Sequence, residues 1–100
     1  MKLKKKQEKE LFFYMNRELK RLKQVFSEVN LKKKVTKKAS KEIFELAYSY
    51  FKDALYFYQK QEYVKTFELL NYCWGLLDAL AIAKVLRVPP KMCGWFKTNF

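Results

Sequence analysis

The fold is decided by residues 63–87, which read YVKTFELLNYCWGLLDALAIAKVLR. Apolar residues recur there every three or four positions, which is the spacing of an α-helix. They form two stripes rather than one, and a helix that is apolar on most of its circumference is buried on several sides. The stripes are Tyr63, Phe67, Leu70, Trp74, Leu77 and Ala81, and Leu69, Cys73, Leu76, Leu80 and Ala83. We therefore expect a long helix that lies centrally or also covers a partner's surface.

Two further helices are predicted before this stretch. Residues 5–30 carry a heptad stripe, with charged residues on the other faces. That stripe is Phe12, Met15, Leu19, Leu22, Phe26 and Val29. Residues 41–60 repeat the same spacing and lead into a short turn around Gln61 and Glu62. The second stripe is Ile43, Ala47, Tyr50, Ala54 and Phe57.

The remaining segments define the topology. Residues 31–39 contain five lysines and little apolar content, which indicates a connector, with Ser40 as N-cap of the next helix. Pro89 and Pro90 should end the third helix near Val88. The tail, residues 88–100, could fold back through Met92, Trp95, Phe96 and Phe100. We therefore predict one all-α domain over residues 1–100, an up-down-up bundle of three long antiparallel helices with a short C-terminal tail.

The composition argues against an enzyme. Histidine is absent, which removes the commonest general base and the commonest metal ligand. Gly75 and Gly94 stand alone, so no glycine-rich phosphate loop occurs. Two distant thiols, Cys73 and Cys93, do not make a zinc site without histidine. We expect no catalytic residues, no cofactor and no metal.

The expected location is the cytoplasm. The basic start, residues 1–6, is not followed by the apolar region of a signal peptide. The most apolar stretch, residues 69–83, is interrupted by Asp78 and is shorter than the roughly 20 residues that span a bilayer. A buried free thiol at Cys73 fits a reducing compartment. No membrane partner is expected.

A polar stripe on the third helix is the most unusual feature. Asn71, Gly75 and Asp78 share one face, bordered by Tyr72. Mid-helix glycine costs roughly 1 kcal/mol relative to alanine, so Gly75 needs a reason. We expect close packing on the second helix, with an Asp53–Asn71 hydrogen bond, and a loss of roughly 1–3 kcal/mol for Gly75→Ala from overpacking. The alternative is a ligand or partner site beside Gly75, and these five residues form the candidate interaction or packing face.

Charge is distributed unevenly. Residues 1–42 carry 15 Lys+Arg against 5 Asp+Glu, a balance of +10, while the remainder carries 7 against 5, a balance of +2. The candidate basic patch is Lys32, Lys33, Lys34, Lys37 and Lys38. Such a patch is either a solvated surface or a weak site for phosphate backbones, and no motif for reading sequence accompanies it.

These observations favour a non-enzymatic protein-interaction or assembly module. Its partner would be another protein or a second copy of the chain, most simply in a dimer, because the third helix carries more apolar surface than an outer helix needs. The alternative is a basic nucleic-acid-associated protein without sequence specificity.

Parts of the second and third helices resemble a known pattern. Its marks are Asp53-Ala54, Tyr63 after the turn, and Asn71-Tyr72-x-x-Gly75-x-Leu77-Asp78-Ala79. The pattern is similar to that of the archaeal helical proteins of domain-of-unknown-function family 357. The match covers about residues 41–89 clearly and the first helix only by its spacing. The family usually has glycine in the turn where this chain has Gln61. The resemblance implies a compact helical bundle from an archaeon and implies no activity.

The paired helices also resemble the HEPN class of helical domains, some of which cleave RNA. Those nucleases use an Arg-x-x-x-x-His motif, and this chain has no histidine. That resemblance therefore implies at most a related, non-catalytic fold.

Overall fold

A computed structural model describes residues 5–98. Phe100 of the expected tail and the basic residues Lys2 and Lys4 lie outside that range. The elements, in chain order, are α1 (Lys5–Glu28), β1 (Asn30–Leu31), α2 (Lys38–Gln59), α3 (Tyr63–Ile82), β2 (Leu86–Arg87) and a 3-10 helix (Pro90–Trp95). The predicted all-α class is confirmed, with α2 and α3 in the closest backbone contact and β1 paired antiparallel to β2.

The core follows the predicted helical stripes, apart from Phe12 and Phe67, which are 37% and 40% exposed. Each of the three helices contributes fully buried apolar side chains, and the tail adds Met92, which is fully buried, and Phe96, which is 5% exposed. From α1 to the tail, the best-buried members include Met15, Leu22, Val25, Ala47, Ala54, Leu70, Cys73, Leu77, Met92 and Phe96. Both stripes of α3 are largely covered, so this helix is central, as its sequence predicts.

The start of α2 differs from the prediction. The helix begins at Lys38, three residues earlier than expected, and Ser40 lies inside it rather than at its N-cap. Lys37 occupies the cap position and makes no side-chain hydrogen bond to the helix. Lysine and alanine are good helix formers, so the helix extends back through Lys38 and Ala39 without a capping side chain.

The turn between α2 and α3 is a Schellman motif. The Gln61 amide donates to the Tyr58 carbonyl at 3.0 Å and the Glu62 amide to the Phe57 carbonyl at 2.9 Å. Gln61 adopts a φ of 61°, the left-handed conformation that glycine usually supplies at this position. The backbone thus keeps the glycine-type turn although the residue is glutamine.

We expect Gln61→Gly to raise the free energy of unfolding by about 0.5–1 kcal/mol, because glycine enters the left-handed region without a Cβ penalty. Urea denaturation measures the change. The matched control is Gln59→Gly in the last turn of α2. It should lower the free energy of unfolding by a similar amount, because glycine has a low helix propensity and no backbone strain is relieved there. A destabilised Gln61→Gly variant would contradict this explanation.

The end of α3 also differs from the prediction. The helix stops at Ile82, not near Arg87, and a second Schellman motif closes it. Lys84 takes the left-handed position with a φ of 59°. The chain then reverses, so that Leu86 pairs with Leu31 and is buried to 4% exposure. The helix therefore ends before it reaches the two prolines, because the chain reverses to bury Leu86 and to form the bridge.

The tail packs against α1 and α3. The Phe96 ring lies 5.4 Å from the Trp74 ring in an edge-on contact, and Met92 is completely buried. On α1, the Arg21 guanidinium lies 5.4 Å from the centre of the Trp95 ring and also contacts the buried Glu18 carboxylate at 3.4 Å. The tail therefore covers the Trp74 side of α3, which removes that stripe as a reason for self-association.

Candidate functional site

One face of α3 stays exposed after α1, α2 and the tail have packed. We call it the α3 face, and it consists of Val64, Glu68, Asn71, Tyr72, Gly75, Ala79 and Ile82. These positions follow helical spacing, with Gly75 at their centre. Val64 is 75% exposed, Tyr72 60% and Ile82 65%. The face is thus mostly apolar or small, with Glu68 within it and the exposed Lys65 at its edge, seven residues before Tyr72.

Gly75 does not pack against another helix. A Cβ added at this position would meet no heavy atom within 4 Å outside its own neighbourhood. The expected close contact with α2 is therefore wrong, and so is the expected overpacking of Gly75→Ala. Gly75 instead lies exposed on the outer face of α3.

The expected Asp53–Asn71 hydrogen bond is also wrong. Asn71 Oδ1 accepts a hydrogen bond from the Tyr14 hydroxyl of α1 at 3.3 Å. Asp53 is exposed on α2 and does not belong to the α3 face. The hydrogen bond to Tyr14 turns the Asn71 side chain towards α1, whereas Asp53 lies exposed on α2.

Of the other two candidate residues, Tyr72 belongs to the face and Asp78 borders it. The Tyr72 ring lies 5.9 Å from the Tyr50 ring of α2. Asp78 is half-buried, and its Oδ1 accepts the Lys97 amide of the tail at 2.9 Å. Desolvation raises the pKa of Asp78, while the amide of Lys97 and its side-chain charge act against that rise. Asn71, Tyr72, Gly75 and Asp78 therefore lie together, and Asp53 lies apart.

We expect Gly75→Ala to stabilise the chain by roughly 1 kcal/mol, because alanine gains helix propensity and finds open space. Thermal or urea unfolding measures it. The control is Ser49→Ala on the exposed side of α2, which should gain less, since serine is already a better helix former than glycine. The measurement uses chain dilute enough to be monomeric, and a loss of stability there would mean that another part of the same chain covers Gly75.

The second feature is a concentration of cations at one end of the bundle. Bridge pairing places the segment after α3 beside the segment after α1, and the Lys32 amide extends the pairing to the Val85 carbonyl at 2.8 Å. We call this region the basic end. Its cations are Lys32, Lys33, Lys34, Lys37, Lys38, Lys84, Arg87 and Lys91. Residues 29–38 and 83–91 contain no acidic residue, so the predicted patch is larger than the sequence indicated.

A groove of about 490 Å³ lies within the basic end. It is lined by Glu28, Asn30, Arg87, Val88, Pro89 and Pro90. Lys91 pairs with Glu28 at 2.9 Å, which neutralises the one carboxylate on its wall. Sequence reasoning missed Lys84, Arg87 and Lys91, because only the bridge brings them to the lysines after α1.

A second concave region lies between α1 and α2. It encloses about 370 Å³ and is lined by Lys23, Phe26, Ser27, Tyr48, Phe51 and Leu55. Phe26 lies 5.5 Å from the Phe51 ring and 5.2 Å from the Tyr48 ring. These aromatic contacts hold α1 on α2, so we assign this groove to packing.

Two further observations bear on the site. Among residues 5–98, no helix combines the length and apolar character needed to cross a membrane. In the same part of the chain, no cluster of three His, Cys, Asp or Glu side chains could hold a metal ion.

Comparison with known proteins identifies the family. The pattern of the family described as Protein of unknown function (DUF357) matches residues 14–86. The chain belongs to this family. The DUF357 match begins within α1 and ends at β2. It therefore includes most of α1, the helix that resembled the family only in the spacing of its apolar residues. No curated protein and no solved structure matches the chain.

Proposed function

We propose that this DUF357 member is a non-enzymatic, cytoplasmic protein-interaction or assembly module and that the α3 face is its binding surface. The observation that carries the proposal is the exposure of Val64, Tyr72 and Ile82 along one helix face around Gly75. Soluble monomers expose scattered apolar residues, but a contiguous apolar strip with few charges is typical of protein contact surfaces.

The composition of the face supports the same proposal. Gly75 and Ala79 add almost no side-chain bulk, so a partner helix can approach the α3 backbone closely. Tyr72 and Ile82 lie on either side of these small residues along the helix and provide aromatic and aliphatic contact area. Tyrosine is among the residues enriched in interfaces. The absence of histidine from the sequence supports the non-enzymatic part of the proposal.

Site-specific photo-crosslinking tests the proposal. A photoreactive phenylalanine analogue replaces Tyr72, and the purified chain is illuminated in native cell extract after nuclease treatment. The matched control carries the analogue at Tyr56, which is 54% exposed on α2. We expect discrete protein adducts from position 72 and not from position 56. Equal adducts from both positions, or none from position 72, would contradict the proposal.

The basic end supports a second candidate function, weak binding of nucleic acid through its phosphates. Eight cations from two remote segments meet there, and two of them pair with carboxylates just outside those segments, Lys91 with Glu28 and Lys38 with Glu42. Lysines contact phosphate as point charges and do not read bases, so this binding would be independent of sequence.

We expect this binding to fall steeply with salt. If about four phosphates are contacted, affinity should drop roughly a hundredfold between 50 and 200 mM salt. Fluorescence anisotropy with labelled duplexes of two unrelated sequences measures both properties. The test variant is Lys33→Glu/Arg87→Glu, and the control is Lys5→Glu/Lys9→Glu, an equal charge change at the far end of α1. Equal losses in both variants, or binding that prefers one duplex at physiological salt, would exclude this candidate.

A further inference from the structure

The α3 face is self-complementary about its centre. Asn71 lies four residues before Gly75 and Asp78 three residues after it, about 6 Å and 4.5 Å along the helix axis. Both lie on the flank nearer α1 and the tail, since Asn71 contacts Tyr14 and Asp78 contacts Lys97. Consider a two-fold axis that passes through the contact at Gly75, lies in the contact plane and is perpendicular to α3. It exchanges the two ends of the face and keeps each flank on its own side. It places Asn71 of one copy beside Asp78 of the other.

The two side chains match chemically. Asn71 uses Oδ1 to accept from Tyr14, so its amide N–H groups can donate outward. Asp78 uses Oδ1 to accept from Lys97, so Oδ2 can accept. An amide donor opposite a carboxylate forms a charge-assisted hydrogen bond, and the two-fold axis creates this bond twice.

The charge distribution favours α3 as the contact between copies. This helix contains Lys65, Glu68 and Asp78, a net charge of −1, whereas the whole chain carries +12, which leaves +13 for all other residues. A second copy therefore meets the least positive helix when it docks on α3. By the same count α1 carries +3, with 7 Lys+Arg against 4 Glu, and α2 is neutral, with 3 Lys against 3 Asp+Glu, so a contact through α1 or the basic end would meet more repulsion.

The antiparallel direction keeps the two basic ends apart. The basic end begins beyond Ile82, seven residues or about 10 Å from Gly75, so two such ends lie roughly 20 Å or more apart across the axis. That distance exceeds the Debye length of about 8 Å at physiological salt, and the repulsion is largely screened. A parallel pair would bring the basic ends together.

We propose that a second copy of the chain occupies the α3 face. In this antiparallel pair α3 crosses α3 at Gly75, and Asn71 of each copy donates to Asp78 of the other. The proposal rests on the proposed function and names its partner. Gly75 and Ala79 let the helix axes approach, while Tyr72 packs beside the crossing.

Exchanging the two polar residues tests this arrangement. Sedimentation equilibrium measures dimerisation at chain concentrations from roughly 10 µM to roughly 1 mM, the range in which dimers with small interfaces dissociate. Asn71→Asp should weaken dimerisation roughly tenfold or more, because it sets two carboxylates opposite each other twice. The double variant Asn71→Asp/Asp78→Asn should recover to within about threefold of the original affinity, since it re-forms the amide–carboxylate pair in reverse. Both replacements can keep their bonds within the chain, to Tyr14 and Lys97.

Two more variants complete the experiment. Gly75→Arg should give a monomer with unchanged helix content, because the arginine points into open space in the single chain. Ser49→Asp, on the exposed side of α2, is the charge control and should dimerise normally. An original chain that stays monomeric throughout overturns the inference, whereas adducts from position 72 to another protein would still support the proposed function. A double variant as weak as Asn71→Asp alone overturns the antiparallel arrangement.

Discussion

Replacing Trp74 with alanine should lower the free energy of unfolding by about 3–5 kcal/mol, as for other buried tryptophans. The indole is 8% exposed and contacts the Phe96 ring edge-on at 5.4 Å. Its loss leaves a cavity and also removes the surface on which the tail packs. A domain of this size has only about 5–15 kcal/mol of net stability, so much of it would be lost. Urea denaturation followed by circular dichroism measures the change.

Trp74→Phe is the matched control. The indole Nε1 is buried and has no hydrogen-bond partner among the described residues. An unsatisfied buried donor costs about 1–3 kcal/mol, which phenylalanine avoids. We therefore expect this variant to lose about 1 kcal/mol or less, because the gain from removing the donor offsets part of the lost volume. If Trp74→Ala also lowered the free energy of unfolding by less than about 1 kcal/mol, the tail would not be anchored on this side chain.

The Cys73 thiol should react with iodoacetamide about a thousandfold more slowly at pH 8 in the folded chain than in the unfolded chain, from thiolate population alone. Burial raises the pKa of Cys73 from 9.0 to about 12. Its Sγ is completely buried and donates to the Ala47 carbonyl at 3.2 Å, so steric protection adds to the effect. Mass spectrometry of a Cys93→Ser background, with and without guanidinium, isolates the single thiol. Rapid labelling in native buffer would contradict the buried position.

The raised pKa of Cys73 also predicts how stability depends on pH. Between pH 9 and about 12 the unfolded chain loses the thiol proton and the folded chain keeps it. The unfolded state then binds fewer protons, so the free energy of unfolding falls as pH rises through this window. Cys73→Ala removes this contribution, and comparing its unfolding midpoints at pH 8 and pH 10.5 with those of the original chain isolates it.

The helices were predictable because their signals are local. Apolar spacing in residues 5–30, 41–60 and 63–87 located all three, and the core positions Leu22, Ala47 and Leu77 follow from it. The ends of the helices were less predictable. Gln61 and Lys84 take left-handed conformations that their side chains do not indicate, and both are held by backbone hydrogen bonds within Schellman motifs.

The candidate site was predictable only in part. Helical spacing correctly grouped Asn71, Gly75 and Asp78, but it could not show which neighbouring helix each face meets. That choice depends on how α1 and the tail share the surface of α3, which is a tertiary property. The same spacing around Gly75, extended to Val64 and Ile82, was the signal that could have found the whole α3 face.

The bridge between β1 and β2 has a consequence for the order in which the chain folds. Asn30 and Arg87 pair although more than half of the chain separates them, whereas α2 and α3 meet across a turn of a few residues. Closing a long loop lowers chain entropy before any contact compensates for it, so local hairpins form first. We therefore expect the α2–α3 hairpin to form first. The basic end should assemble last, when the bridge joins the chain after α1 to the chain after α3.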